Sequence, residues 1–151
     1  MRITKYLAVM VIVLAVVSLA MGIVFIVQGS STQAKIAEGL RAEKVTLGLE
    51  EGNPGYIVGN VVDTAAEAKA AQDILEEHLR DNYGTYGDTK RGSPERTTYL
   101  DGTTLRNSLN LAVMGFGVCT IATFSGVFMI IMGTALLGTG LTLRQLNSKV
   151  S

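Results

Sequence analysis

The chain has 151 residues with 13 basic and 13 acidic side chains, so its formal charge is zero and no global field recommends a nucleic-acid partner. One cysteine, Cys119, excludes an intrachain disulfide. Two long uncharged apolar runs argue against one soluble core spread over the whole length.

The first run is Tyr6 to Val27, and the second runs from Leu109 to Leu137, reaching Leu141 at its widest. Each is long enough to cross a bilayer, which takes about 20 residues at about 1.5 Å per residue. All thirteen acids lie between the runs, together with nine bases. The tails carry only bases, Arg2 and Lys5 before and Arg144 and Lys149 after. Basic flanks favour the cytoplasmic side. The pattern predicts a cell-membrane protein with two spans, 6–27 and 109–141. The tails 1–5 and 142–151 are then cytoplasmic, and residues 28–108 form an extracytoplasmic domain. Ser18-Leu19-Ala20 resembles a signal-peptide cleavage site, but the apolar run continues past it to Val27, so a retained anchor is expected.

In chain order, Gln33 to Lys44 has good helix propensity with Ile36 and Leu40 at i, i+4, so a helix extends the first span or restarts after Gly29. Val45, Leu47 and Leu49 alternate with smaller or polar residues, Gly52-Asn53-Pro54-Gly55 is a turn by composition, and Tyr56 to Val62 is β-prone. A short β-hairpin is predicted there. Thr64-Ala65-Ala66-Glu67 is a capping box opening a helix to about Arg80, with Ala71, Ile74, Leu75 and Leu79 on its apolar face. Asp81 to Asp101 is rich in turn residues and reads as an ordered loop anchored by Tyr83, Tyr86 and Tyr99. The last helix is expected to start near Thr103 or Thr104. The fold class expected is mainly α: two transmembrane helices and a small, mostly helical outer domain containing the hairpin.

No catalytic or cofactor-binding constellation emerges. A non-haem iron centre commonly takes two histidines and a carboxylate on one face. This chain has one histidine, His78, on a helix near its C-terminus, where the macrodipole favours the cation. The glycines follow neither a dinucleotide nor a Walker pattern. Cys119, in mid-span, reads as a small packing residue, and Lys90 to Arg96 as a solvated loop. No charged residue lies within either span, which disfavours proton relays.

The spans carry the sharper signal. Ala8, Ala15, Gly22 and Gly29 recur every seven residues with Ser18 between them. In the second span Ala112, Gly115, Cys119, Ala122, Gly126, Met129, Gly133, Leu136 and Gly140 follow 3-4 spacing. Small residues let helix backbones approach closely, and a seven-residue period favours a left-handed crossing. The helix-packing candidates are therefore Ala8, Ala15, Ser18 and Gly22 with Ala112, Gly115, Cys119, Ala122, Gly126 and Gly133. Whether these faces meet within one chain or between subunits is open at this level.

Ala68-Lys69-Ala70-Ala71, then Ile74-Leu75-x-x-His78-Leu79, then Thr104-Leu105-Arg106-x-x-Leu109-x-x-Ala112 running into a span form a recognisable layout. It resembles a family of short two-span bacterial envelope proteins of unsettled function, some labelled aromatic ring-opening dioxygenase. The resemblance implies the two-span architecture and carries over no catalytic residue. The expected function is non-catalytic: an accessory or scaffolding subunit of a larger or self-assembled membrane complex, with lipid and membrane subunits or further copies as partners. The alternative is an outer sensing or ligand-binding domain acting through a partner, with a pocket near Tyr56, Tyr83, Tyr86 or Tyr99.

Overall fold

A computed structural model describes residues 2–46 and 61–149. Three helices follow in order: α1 (Arg2–Ala42), α2 (Ala65–Tyr83) and α3 (Pro94–Lys149). Both α1 and α3 are long and apolar enough to cross a membrane, and only 11% and 17% of their apolar windows is buried by the protein itself. Core helices of a soluble protein would be mostly buried. The chain divides into two compact units, Met1–Thr32 with Cys119–Ser151, and Gln33–Val118.

The first unit is a pair of apolar helices packed side against side. Several hydroxyls in it are satisfied locally. Ser30 donates to the Ile26 carbonyl at 2.6 Å, Thr123 to Cys119 at 2.9 Å and Thr134 to Ile130 at 2.8 Å. In lipid, where no water competes, such return bonds are what make a hydroxyl tolerable.

The second unit is built from the last turns of α1, all of α2 and the first half of α3. Its core is Val62, Ala68, Ala71 and Leu109, with Leu40, Val45 and Val113 packed against it. Helix α1 stops where Lys44 turns left-handed (φ 51°) and its N–H bonds to the Arg41 carbonyl. Arg41 then pairs with Asp63 at 2.6 Å, tying that end to the start of α2. The capping box forms as the sequence predicts: the Glu67 N–H donates to Thr64 Oγ1 at 3.2 Å, and the Thr64 N–H donates to the Glu67 carboxylate at 3.1 Å. Helix α2 ends at Gly84 (φ 71°), whose N–H bonds to the Arg80 carbonyl.

The expected β-hairpin is corrected. The described residues form three helices and no strand, and 86% of them are helical. Residues 47–60, on which most of the hairpin was expected, lie outside the described residues. Their flanks meet in one isolated antiparallel bridge, Thr46 to Val61, with the Val62 N–H donating to the Val45 carbonyl at 2.8 Å. Val62 is wholly buried in a core shared with the helices.

The start of α3 also differs from expectation. It begins at Pro94 rather than near Thr103, with Ser93 accepting from the Arg96 N–H at 3.3 Å and proline in the first turn. Asp101-Gly102 is interior helix, not a turn. A Cβ on Gly102 would lie 2.7 Å from Leu79 Cδ2, so the glycine makes room for the side chain that α2 packs there. Leu79 is 5% exposed, whereas Leu75 is only half-buried.

These contacts rank two substitutions. Leu79→Ala removes a buried side chain and is expected to cost about 2–5 kcal/mol. Thr64→Ala removes one cap and is expected to cost about 1 kcal/mol. Limited proteolysis of the full chain in detergent should cleave the Leu79 variant faster, and the reverse order would contradict this packing.

Candidate functional site

The sequence-derived packing residues meet within one chain. A Cβ placed on Gly22 would lie 2.7 Å from the Gly126 carbonyl oxygen, and one placed on Gly126 would lie 2.6 Å from that of Gly22. Both obstacles are backbone, so neither position has space for even a methyl group without moving a helix. One heptad away on either side, a Cβ on Gly133 would lie 3.1 Å from the Ala15 carbonyl, and one on Gly29 would lie 2.9 Å from that of Cys119. The paired numbers 22 with 126, 15 with 133 and 29 with 119 each add to 148, so the helices run antiparallel with a small residue every seven. Ala8, Ala15, Gly22, Cys119, Gly126 and Gly133 are buried, and Ser18 and Ala122 are half-buried. Between the glycine layers Ser18 donates to the Met129 carbonyl across the pair at 2.8 Å.

Ala112 and Gly115 fall in the other unit. Both are half-buried, and Gly115 faces the end of the Ile36 side chain, 2.8 Å from where a Cβ would stand. The small-residue search missed the large partners. Ile12, Leu19 and Ile26, also seven apart, lie over Gly140, Gly133 and Gly126, and Ile130 lies over Gly22. Their heptad spacing was visible, but it is lost among many other aliphatic residues of the span. Around the seam the outward residues are large and apolar: Val9, Val16, Ile23, Ile121, Phe124 and Phe128 are all more than half exposed. Glycines off the seam are different, for a Cβ on Gly138 would meet nothing within 4 Å.

The remaining candidates do not assemble into a reaction centre. His78 is exposed and its carbonyl accepts from Asn82 Nδ2 at 2.8 Å. It borders an apolar groove of about 290 Å³ that also touches Ala71, Ile74, Leu75 and Leu109. Among the described residues no group of three His, Cys, Asp or Glu side chains could hold a metal ion. Cys119 is buried in the seam. Tyr56 is outside the described residues. The Arg96 guanidinium covers the Tyr86 ring at 3.9 Å and donates to the Thr89 carbonyl at 2.8 Å, while Tyr86 and Tyr99 stand tilted at 6.5 Å. These contacts close the 84–93 loop rather than opening a cage.

Comparison with protein-family models, with curated proteins and with solved structures finds no match. The seam is therefore characterised by its own geometry.

Gly126→Leu forces backbones apart and is expected to destabilise the helix pair by about 1–3 kcal/mol. Ser18→Ala removes one interhelical bond and is expected to cost about 0.6 kcal/mol. Gly138→Leu adds the same bulk into open space and should be close to neutral. Reversible unfolding of the full chain in detergent checks the order, and equal losses for Gly126→Leu and Gly138→Leu would refute the seam.

The loop makes a second, acid-side prediction. Asp88 accepts from the Thr85 N–H at 2.6 Å and from its hydroxyl at 2.7 Å, and these bonds hold its carboxyl below the ordinary value. The Ser93 hydroxyl, then the backbone N–H of Glu95 itself, does the same for Glu95. A folded-state value below the unfolded one contributes order above the unfolded value, and that order is lost as pH falls through the folded one. The Thr85 amide resonance should therefore shift as pH falls through the acid range, and Asp88→Asn should abolish that titration.

Proposed function

We propose that this chain is a non-catalytic integral membrane protein, an accessory or scaffolding subunit of a larger or self-assembled membrane complex. The observation that carries the proposal is the seam. Small residues are turned inward against each other, which leaves a stiff two-helix element whose outer surface is lined with Val, Ile, Leu and Phe side chains. Such a surface suits lipid or the apolar flank of another membrane subunit. In this proposal both termini are cytoplasmic and residues 28–108 are outside, as the basic tails favour.

Two measurements test the proposal. Purified in mild detergent under native conditions, the full chain is expected to have the mass of a discrete assembly, with further copies or with other subunits. A lone monomer would overturn the scaffolding role. For topology, cysteines are introduced singly at Lys90 and Ser148 in a Cys119→Ala background. An impermeant thiol reagent should label position 90 in intact cells and reach position 148 only after lysis. Labelling of position 148 alone would reverse the assignment.

A further inference from the structure

Within the unit Gln33–Val118, α2 and the first turns of α3 enclose a cleft of about 220 Å³ whose walls include Glu76, Arg80, Thr85, Tyr99 and Arg106. Glu76 is the one acid on its wall. Its carboxylate is shared: Arg80 Nη2 takes Oε1 at 2.9 Å, and Arg106 Nη1 stands 3.5 Å from Oε2. The second distance is an ion pair beyond ordinary N–H···O hydrogen-bond length. Arg106 makes no side-chain hydrogen bond to another described residue, although its side chain is only 31% exposed. On the wall itself two guanidinium groups face this one carboxylate, and the Asp88 carboxylate lies beside the wall residues Gly84 and Thr85. Asp88, the acid next to Thr85, has its Oδ2 occupied by the Thr85 N–H and hydroxyl.

A guanidinium presents five N–H donors in a planar fork that matches a carboxylate or phosphate. In Arg106 that fork has one distant oxygen to face.

We propose that this cleft binds a phosphate-type oxyanion. Arg106 is the bidentate clamp, Arg80 the second cation and the Tyr99 phenol a further hydrogen-bond donor. Glu76 is the resident competitor, which the anion displaces from Arg106. The proposal is independent of the scaffolding role. The shared ligand chemistry has two sources, a lipid headgroup or a free phosphate group.

The test uses the full chain in a phosphate-free nonionic detergent, with arginine side chains labelled for NMR. Inorganic phosphate and a short-chain phosphatidylglycerol below its micelle concentration are titrated in separate arms. A saturable shift of the Arg106 side-chain resonance is expected. Arg106→Gln should weaken binding by about tenfold or more, the loss of charge-assisted hydrogen bonds. Glu76→Gln should strengthen it, a gain that misfolding cannot produce. Response to inorganic phosphate supports the site and shows that the oxyanion suffices, whereas response to the lipid alone supports it with the headgroup as source. No saturable shift in either arm, unchanged affinity in Arg106→Gln, or no gain in Glu76→Gln would overturn the proposal.

Discussion

At Gly22 and Gly126 two helix backbones meet with no side chain between them, and the arrangement of the two long apolar helices follows from that contact. Lipid tails are as apolar as leucine, so nothing analogous to the hydrophobic effect presses helices together in a bilayer. What remains is dispersion at short range, weak Cα–H···O contacts and the occasional interhelical hydrogen bond. All three need close backbones. Glycine and alanine at the seam permit the approach, Ile12, Leu19, Ile26 and Ile130 fold over the bare glycines, and Ser18 reaches the Met129 carbonyl at 2.8 Å. The bulky residues then have only the outside left to them.

The unit Gln33–Val118 works under a different constraint. Its core is small: among the described residues its buried large side chains are Val62, Leu79, Leu109 and Phe116. Alanines at 68 and 71 bring α2 near its neighbours, as glycine does in the spans, and Gly102 does the same under Leu79. With little apolar area to bury, local order at the element ends matters more. The Thr64–Glu67 box, the Arg41–Asp63 pair, Gly84 and the Ser93-Pro94 start set where each helix begins or stops.

Much of this was legible in the residues. Both long helices, the capping box and the small faces of the spans follow from composition and spacing. The partner of those faces did not, because periodicity identifies which side of a helix is small and says nothing about what it meets. The start of α3 was hidden by threonines and Asp101-Gly102, which look like a turn. In the fold Thr98, Thr103 and Thr104 return their hydroxyls to carbonyls four residues earlier, and Gly102 is wanted by a side chain from another helix. The alternation around Val45 and Val62 misled for a related reason: a half-buried valine on one flank and a buried one on the other satisfy a helical core as well as a sheet. The cleft around Arg106 could not be anticipated: the Glu76–Arg80 pair is a local i,i+4 contact on α2, but only tertiary packing brings Arg106 to the same carboxylate.

The even spacing of the seam has a cost in specificity. A ladder whose rungs recur every seven residues on both rails fits itself again when one rail slides by seven. Gly22 would then face Cys119, Ala15 would face Gly126 and Ala8 would face Gly133, all of them small. Close packing alone therefore does not distinguish the observed alignment from its neighbours. The asymmetric features must do so: Ile130 lies over Gly22 where a shift by seven would bring Thr123, and a fixed length of chain joins the two rails. The Ser18 bond is no such mark, because its acceptor is a backbone carbonyl that recurs at every residue. Alignment in this protein is set by one bulky side chain and a tether rather than by the small residues that touch.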